Sequence, residues 1–188
     1  SNNAKILHLG LLSIHAGMDA FTREGENGWS EVLKQAQAQS ILTSIEMVSI
    51  DQARNRELVT PCLPFIDYLI VNDHEIGAIA DLATLHDGQT NVELCIKAAY
   101  NVLASGKMKS VTVHFPAGAI CVTRDGKLYE TPAFSVPQTY VKGSVGAGDA
   151  FVAGFLYSMH EGWSIKKALY LAHAVAAVSL GSPTTVGS

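Results

Sequence analysis

Two hydrophobic rhythms alternate along the chain. Short runs rich in apolar and β-branched residues recur at Lys5 to Leu9, Ile41 to Ser49, Asp67 to Val71 and Ser110 to His114, and each predicts a strand. Between them the apolar positions take helical spacing. Trp29 to Gln39 sets Val32, Leu33 and Ala36 on one side, Gln52 to Val59 forms a modest helix stopped by Pro61 and Pro64, and Val92 to Leu103 ends at Ser105-Gly106. A glycine-rich polar loop follows the first strand to about Gly28, and Asn72-Asp73-His74-Glu75 opens a helix reaching about Leu82. Ala119 to Thr123 and Lys127 to Thr131 flank Arg124-Asp125-Gly126, and Asp-Gly between two such runs signals a hairpin. Two helices close the chain, Ala147 to Glu161 and Ser164 to Leu180, with Ser164 as N-cap and Gly181 as the C-terminal stop. Strands alternating with helices imply a doubly wound, mainly parallel α/β sheet with one antiparallel hairpin.

Composition narrows this picture. At 188 residues the chain suits a single core, and 48% apolar residues with a mean hydropathy of +0.20 suit a sheet buried on both faces. Ser1-Asn2-Asn3-Ala4 reads as an expression-tag remnant, residues 5–188 read as one α/β domain, and the abrupt first strand leads us to expect a longer parent chain. No apolar run reaches the roughly 18 residues of a membrane span, and no basic segment precedes an apolar one at the start, so a cytoplasmic protein is expected. Seventeen acids against thirteen scattered bases give a net charge of −4, which argues against nucleic acid as a partner. Cys62, Cys95 and Cys121 are odd in number and set in apolar stretches, so they read as reduced core residues, and no histidine or cysteine pair has zinc spacing.

The chemistry concentrates in Tyr140 to Phe151, YVKGSVGAGDAF. A helix N-terminus leaves its first N–H groups unpaired and attracts anions, and Gly146, Ala147 and Gly148 let a phosphate or oxyanion approach that backbone closely. Asp149, one residue on, is placed to accept a proton from an attacking hydroxyl, which is what phosphoryl transfer to an alcohol requires. The alternative is structural: small residues for close helix packing, and an acid that stabilises the macrodipole. A P-loop needs a lysine and a hydroxyl after the last glycine, and the dinucleotide fingerprint needs another spacing and an early position, so neither fits.

This stretch resembles the C-terminal signature of the ribokinase-like (PfkB) carbohydrate kinases, D-T-x-G-A-G-D, through Gly146-Ala147-Gly148-Asp149-Ala150-Phe151 and Ala153-Gly154-Phe155. The resemblance implies a nucleotide-binding and catalytic domain that uses ATP to phosphorylate a sugar or sugar-like alcohol, with Asp149 as general base and the Gly146, Ala147 and Gly148 amides as the anion hole. It implies a second element, N-x-x-E, in which Asn72 and Glu75 order Mg2+ and phosphate through water; Asn72 is also suited simply to cap the helix. The Ala-rich last helix is similar to the one that borders adenine in the family, which would put His173 at the base or leave it as a helix-packing residue. Glu46 at a strand end has the family's alternatives of a magnesium or phosphate role, or of a solvated or ion-paired strand end. A homodimer is among the partners expected.

Three departures from the family pattern stand out. Gly143 replaces the first acid of the signature, which puts monovalent-cation activation in question. VTVHFPAG, Val111 to Gly118, replaces the usual T-x-G-x-x-G nucleotide loop, keeping Gly118 and bringing His114 and Phe115 toward the ribose or phosphates. Nothing resembles the family's N-terminal sugar motif or lid. Two rival classes are a non-catalytic nucleotide-binding or regulatory relative and a Rossmann oxidoreductase. Asp19 and Glu24 in the first loop are read as solvated unless they meet a sugar, Phe151 and Phe155 as core, and Trp163 as packing.

Overall fold

The computed structural model describes residues 4–48 and 51–184; residues 1–3 of the expected tag remnant and Ser49, the last residue of the second expected strand, lie outside the described residues. The elements in chain order are β1 (Ile6–Leu9), α1 (Ala16–Asp19), α2 (Gly28–Ala38), β2 (Leu42–Ile45), α3 (Gln52–Val59), a 3-10 segment (Thr60–Phe65), β3 (Tyr68–Asn72), α4 (Asp73–Ala80), β4 (Leu85–His86), β5 (Gln89–Thr90), α5 (Val92–Ala104), β6 (Ser110–Phe115), β7 (Gly118–Thr123), β8 (Leu128–Pro132), α6 (Ala147–His160) and α7 (Ile165–Ser179). Six strands form one sheet in the order β1-β2-β3-β6-β7-β8, with β1 parallel to β2 and β2 parallel to β3. This is the expected mainly parallel α/β sheet with an antiparallel hairpin. No helix among the described residues is long and apolar enough to cross a membrane.

The chain divides into two compact units, the first made of Ser1–Val113 and Cys121–Leu128, the second of His114–Ile120 and Tyr129–Ser188. In the first unit β3 is buried over its first four residues, as a continuous apolar run in a parallel sheet should be. Helix α2 starts on a capping box in which the Asn27 side chain accepts the Ser30 N–H at 2.9 Å and Ser30 Oγ accepts the Asn27 N–H at 3.0 Å. Helix α3 ends at Val59 as Pro61 requires, but the chain tightens into the 3-10 segment rather than leaving the helical path, because proline tolerates the first positions of a helix where its missing N–H is not needed. The hairpin of β4 and β5 was not expected: its strands are two residues long, too short to show a period, and only Asp87 (φ 50°) and Gly88 (φ 75°) mark the turn. All three cysteines are free and buried.

In the second unit α6 and α7 pack on Phe151, Phe155, Leu169 and Ala172, all buried. Gly162 (φ 72°) ends α6, and the Trp163 N–H returns to the Ser158 carbonyl at 2.9 Å, a Schellman-type stop. That turn leaves Trp163 42% exposed, paired edge-on with Tyr157 at 5.9 Å, so the expectation that it packs inside is corrected. Ser164 does occupy the N-cap of α7, but its side chain makes no capping bond. Gly181 follows the end of α7 without a left-handed φ; the Tyr140 ring fills the space beside it, 2.5 Å from where a Cβ would stand.

Candidate functional site

The glycine run builds a turn followed by a helix. Gly146 caps α6 in the left-handed region (φ 83°), a conformation that glycine adopts without strain, and Asp149 lies in the first turn of the helix with its side chain exposed. Of the three amides expected to form an anion hole, that of Ala147 is turned back on the Ser144 carbonyl at 3.2 Å, and the helix ladder begins with the Ala150 N–H on Gly146 O at 2.9 Å. In this arrangement the Ala147 N–H is committed to the turn. A Cβ on Gly148 would stand 3.2 Å from His114 Cε1, so the glycine lets the His114 ring lie close against the first turn of α6.

His114 and Phe115 end β6, half-buried. The His114 ring is 5.1 Å from Phe151 and tilted by 35°, and Phe151 also meets His173, 5.1 Å away and edge-on at 75°. His114, Gly148, Phe151 and His173 therefore form one cluster behind the start of α6. His173 is 5% exposed and shares a hydrogen bond of 3.1 Å with Thr131 Oγ1 on β8. Burial pushes its imidazole below the usual histidine range, opposed in part by hydrogen bonding with the Thr131 backbone. Thr131 was not singled out from sequence, since a threonine in a strand carries no signal of a distant partner. Gly118 has a structural cause: a Cβ there would run into the Thr131 carbonyl oxygen across the β7–β8 hairpin.

In the first unit Asn72 and Glu75 form the capping box of α4. Asn72 Oδ1 accepts the Glu75 N–H at 2.8 Å, and Glu75 Oε2 accepts the Asn72 N–H at 3.0 Å. Glu75 is 6% exposed, an uncommon degree of burial for a carboxylate whose only task is a cap. Glu46 Oε2 lies 3.2 Å from His8 Nε2 on the adjacent strand, a hydrogen bond that becomes an ion pair when the imidazole is protonated. Asp19 is not solvated: at 8% exposure it accepts from the Ser13 N–H at 3.1 Å and from Trp29 Nε1 at 2.8 Å, fastening the first loop to α2. A cavity of about 830 Å3 lined by residues of α3 and α4, with Arg56 and Asp81 paired at 2.7 Å on its lining, contains none of the expected site residues.

Among the described residues no cluster of three or more histidine, cysteine or acidic side chains is arranged to hold a metal ion. Asn72 and Glu75 bring a buried carboxylate beside a carboxamide oxygen, an oxygen donor set of the type magnesium takes, with one oxygen of each side chain engaged in the capping box.

The model of the pfkB family of carbohydrate kinases matches residues 3–188. Adenosine kinase 1 of Arabidopsis thaliana is 31% identical over 115 residues, covering 60% of this chain and 33% of that protein. The 5-dehydro-2-deoxygluconokinase of Clostridium perfringens is 39% identical over 72 residues, covering 38% of this chain and 20% of that protein. Among solved structures, phosphofructokinase-2 from Escherichia coli in complex with potassium superposes with a TM-score of 0.74 at 21% identity, over 97% of this chain and 53% of that one. Arabidopsis thaliana ribokinase complexed with ribose and ATP gives 0.72 at 23% identity, over 95% and 50%. At these identities the structural likeness is one of fold. The chain spans about a third or less of the length of these curated relatives and about half of the solved ones.

Proposed function

The chain belongs to the pfkB family of carbohydrate kinases, and from that premise we propose that it transfers the γ-phosphoryl group of ATP to a hydroxyl of a sugar or sugar-like alcohol. The observation that carries the reading is the start of α6, where an exposed Asp149 follows a left-handed Gly146 and a Gly148 without a side chain. The acceptor hydroxyl gives its proton to an Asp149 carboxylate oxygen as its oxygen bonds to the γ-phosphorus, and the bond from that phosphorus to the ADP oxygen breaks. The Gly146 and Gly148 amides and the positive end of the α6 dipole face the charge on the migrating group. The Ala147 amide joins them once its turn bond to Ser144 opens, so opening of that turn on nucleotide binding is part of the proposal.

Asn72 and Glu75 would hold the hydration shell of a magnesium ion brought with ATP, and that ion would neutralise phosphate charge. Burial of Glu75 supports this role beside its capping bond. To the nucleotide we assign His114, which lies against Gly148, and Phe115, with His173 edge-on to Phe151. Glu46 is left to its pair with His8.

The test is ATP-dependent phosphorylation of a panel of adenosine, ribose, fructose 6-phosphate and 5-dehydro-2-deoxygluconate by the full-length protein and its Asp149→Asn variant. Removal of a general base should slow turnover by about 10²–10⁴-fold; equal rates overturn the assignment. A second reading, a nucleotide-binding relative without turnover, draws on Gly143: a Cβ there would stand 3.3 Å from the Ser182 carbonyl oxygen, which leaves little room for the acid of the family signature. Thermal stabilisation by ATP with no product from any acceptor would select it.

A further inference from the structure

The seven residues leading into the site, Tyr140 to Gly146, are fixed by more than their own turns. Tyr140 and Val141 donate backward to Pro137 O (2.9 Å) and Gln138 O (3.3 Å), and the Ala147 N–H donates to Ser144 O at 3.2 Å. Between these turns the Lys142 N–H is pinned to Leu180 O at 2.8 Å. The Tyr140 hydroxyl donates to Val178 O at 3.0 Å, and its ring lies against Gly181 with Cζ and Oη 2.5 and 2.6 Å from where a Cβ would be. The Val178 and Leu180 carbonyls stand at the end of α7, and that of Val178 also accepts the Gly181 N–H at 3.1 Å.

We propose that Tyr140 is a positioning residue for the reaction at Asp149: it straps the approach to the glycine run onto the last turn of α7, and so sets where the Gly146 turn and the first turn of α6 stand. The proposal rests on the reading of Asp149 as the base. It explains two sequence features with one contact. Gly181 is glycine because the tyrosine ring takes its side-chain space, and an aromatic residue stands before the glycine run because its ring and hydroxyl together span to the α7 terminus. The contact is a strap rather than core: Tyr140 is 41% exposed, so its removal leaves Phe151, Phe155 and Leu169 packed as they are.

In the full-length protein, Tyr140→Phe, Tyr140→Ala, Gly181→Ala and Asp149→Asn are compared with the wild type by backbone hydrogen exchange over residues 142–151 and by initial rates with the panel. Gly181→Ala displaces the ring while keeping the tyrosine, so it reports on the strap if Tyr140→Ala fails to fold. Tyr140→Ala and Gly181→Ala should raise exchange over 142–151 by about tenfold, with exchange in β8 and mid-α7 unchanged. They should lower kcat by about fivefold to tenfold while the KM for ATP stays within about twofold, and Tyr140→Phe, which loses one hydrogen bond, should fall between. Unchanged exchange over 142–151 overturns the proposal, as does a rise spread evenly over α6 and α7. Loss of activity in Asp149→Asn with wild-type kcat and exchange in the Tyr140 variants removes the strap alone. Wild-type rates in Asp149→Asn remove the base reading, and with it the positioning role of Tyr140 in the reaction.

Discussion

The imidazole of His114 stands 3.2 Å from the point that a Cβ on Gly148 would occupy. A methyl group there must push the ring by a few tenths of an ångström, and the ring is backed by Phe151 at 5.1 Å. Gly148→Ala should therefore fold, losing about 1 kcal/mol or less, yet lower kcat by at least about tenfold because the first turn of α6 is where the migrating charge is met. Urea denaturation and steady-state kinetics on the same preparation separate the two effects.

Glu75 allows capping to be told apart from charge. Glu75→Gln keeps an oxygen for the Asn72 N–H, so stability should change by less than about 0.5 kcal/mol, whereas Asn72→Ala should cost about 1 kcal/mol for the lost cap. If the carboxylate serves magnesium and phosphate, Glu75→Gln lowers kcat by about tenfold or more and raises the Mg2+ concentration giving half-maximal rate. A Glu75→Gln enzyme with wild-type rate and magnesium response would confine the residue to its cap.

His173 makes stability depend on pH. Burial lowers its pKa in the folded chain, so between the folded and unfolded values the unfolded state binds the proton more readily. The contribution is complete above the unfolded value of about 6.5 and is lost as pH falls through it toward the folded value, with a slope of at most about 1.4 kcal/mol per pH unit for one proton. His173→Gln should flatten that part of the profile, read as denaturation midpoints between pH 5 and 8.

Gly118→Ala is expected to be among the costly small substitutions. The added carbon meets the Thr131 carbonyl oxygen and stands 3.3 Å from Pro132 Cα, both backbone, so the hairpin itself must move. A loss of about 1–3 kcal/mol in chemical denaturation is expected. A neutral outcome would return Gly118 to the nucleotide loop.

The three thiols should be inert in the native protein. Burial pushes Cys62 up to about 12 and Cys121 up to about 11, and burial together with the Asp73 charge pushes Cys95 up to about 11, so none carries thiolate at neutral pH. Labelling by a thiol disulfide reagent should appear only with unfolding.

Much of this architecture could be read from periodicity, because each long helix and each buried strand carries its own repeating pattern. Gln52–Val59 coincides with its expected bounds, and the Asp-Gly turn of β7 and β8 is encoded locally. What escaped was set by contacts that no local repeating pattern encodes. Asp19 read as a solvated loop acid, but Trp29 and the Ser13 amide draw it inward. Gly118 and Gly181 read as loop and stop glycines, and their causes are Thr131 and Tyr140. Gly146 to Asp149 was visible as a motif, whereas the tie between the Ala147 amide and Ser144 depends on a turn geometry that the motif does not specify.

The two tryptophans fall one to each compact unit, and their surroundings differ. Trp29 is 2% exposed with its indole N–H on Asp19, while Trp163 is 42% exposed beside Tyr157. Emission from Trp29 should be blue-shifted and shielded from a soluble quencher such as acrylamide, and that from Trp163 red-shifted and quenched. The chain thus carries a built-in two-colour fluorescence readout, able to show without any label whether its halves melt together or in turn.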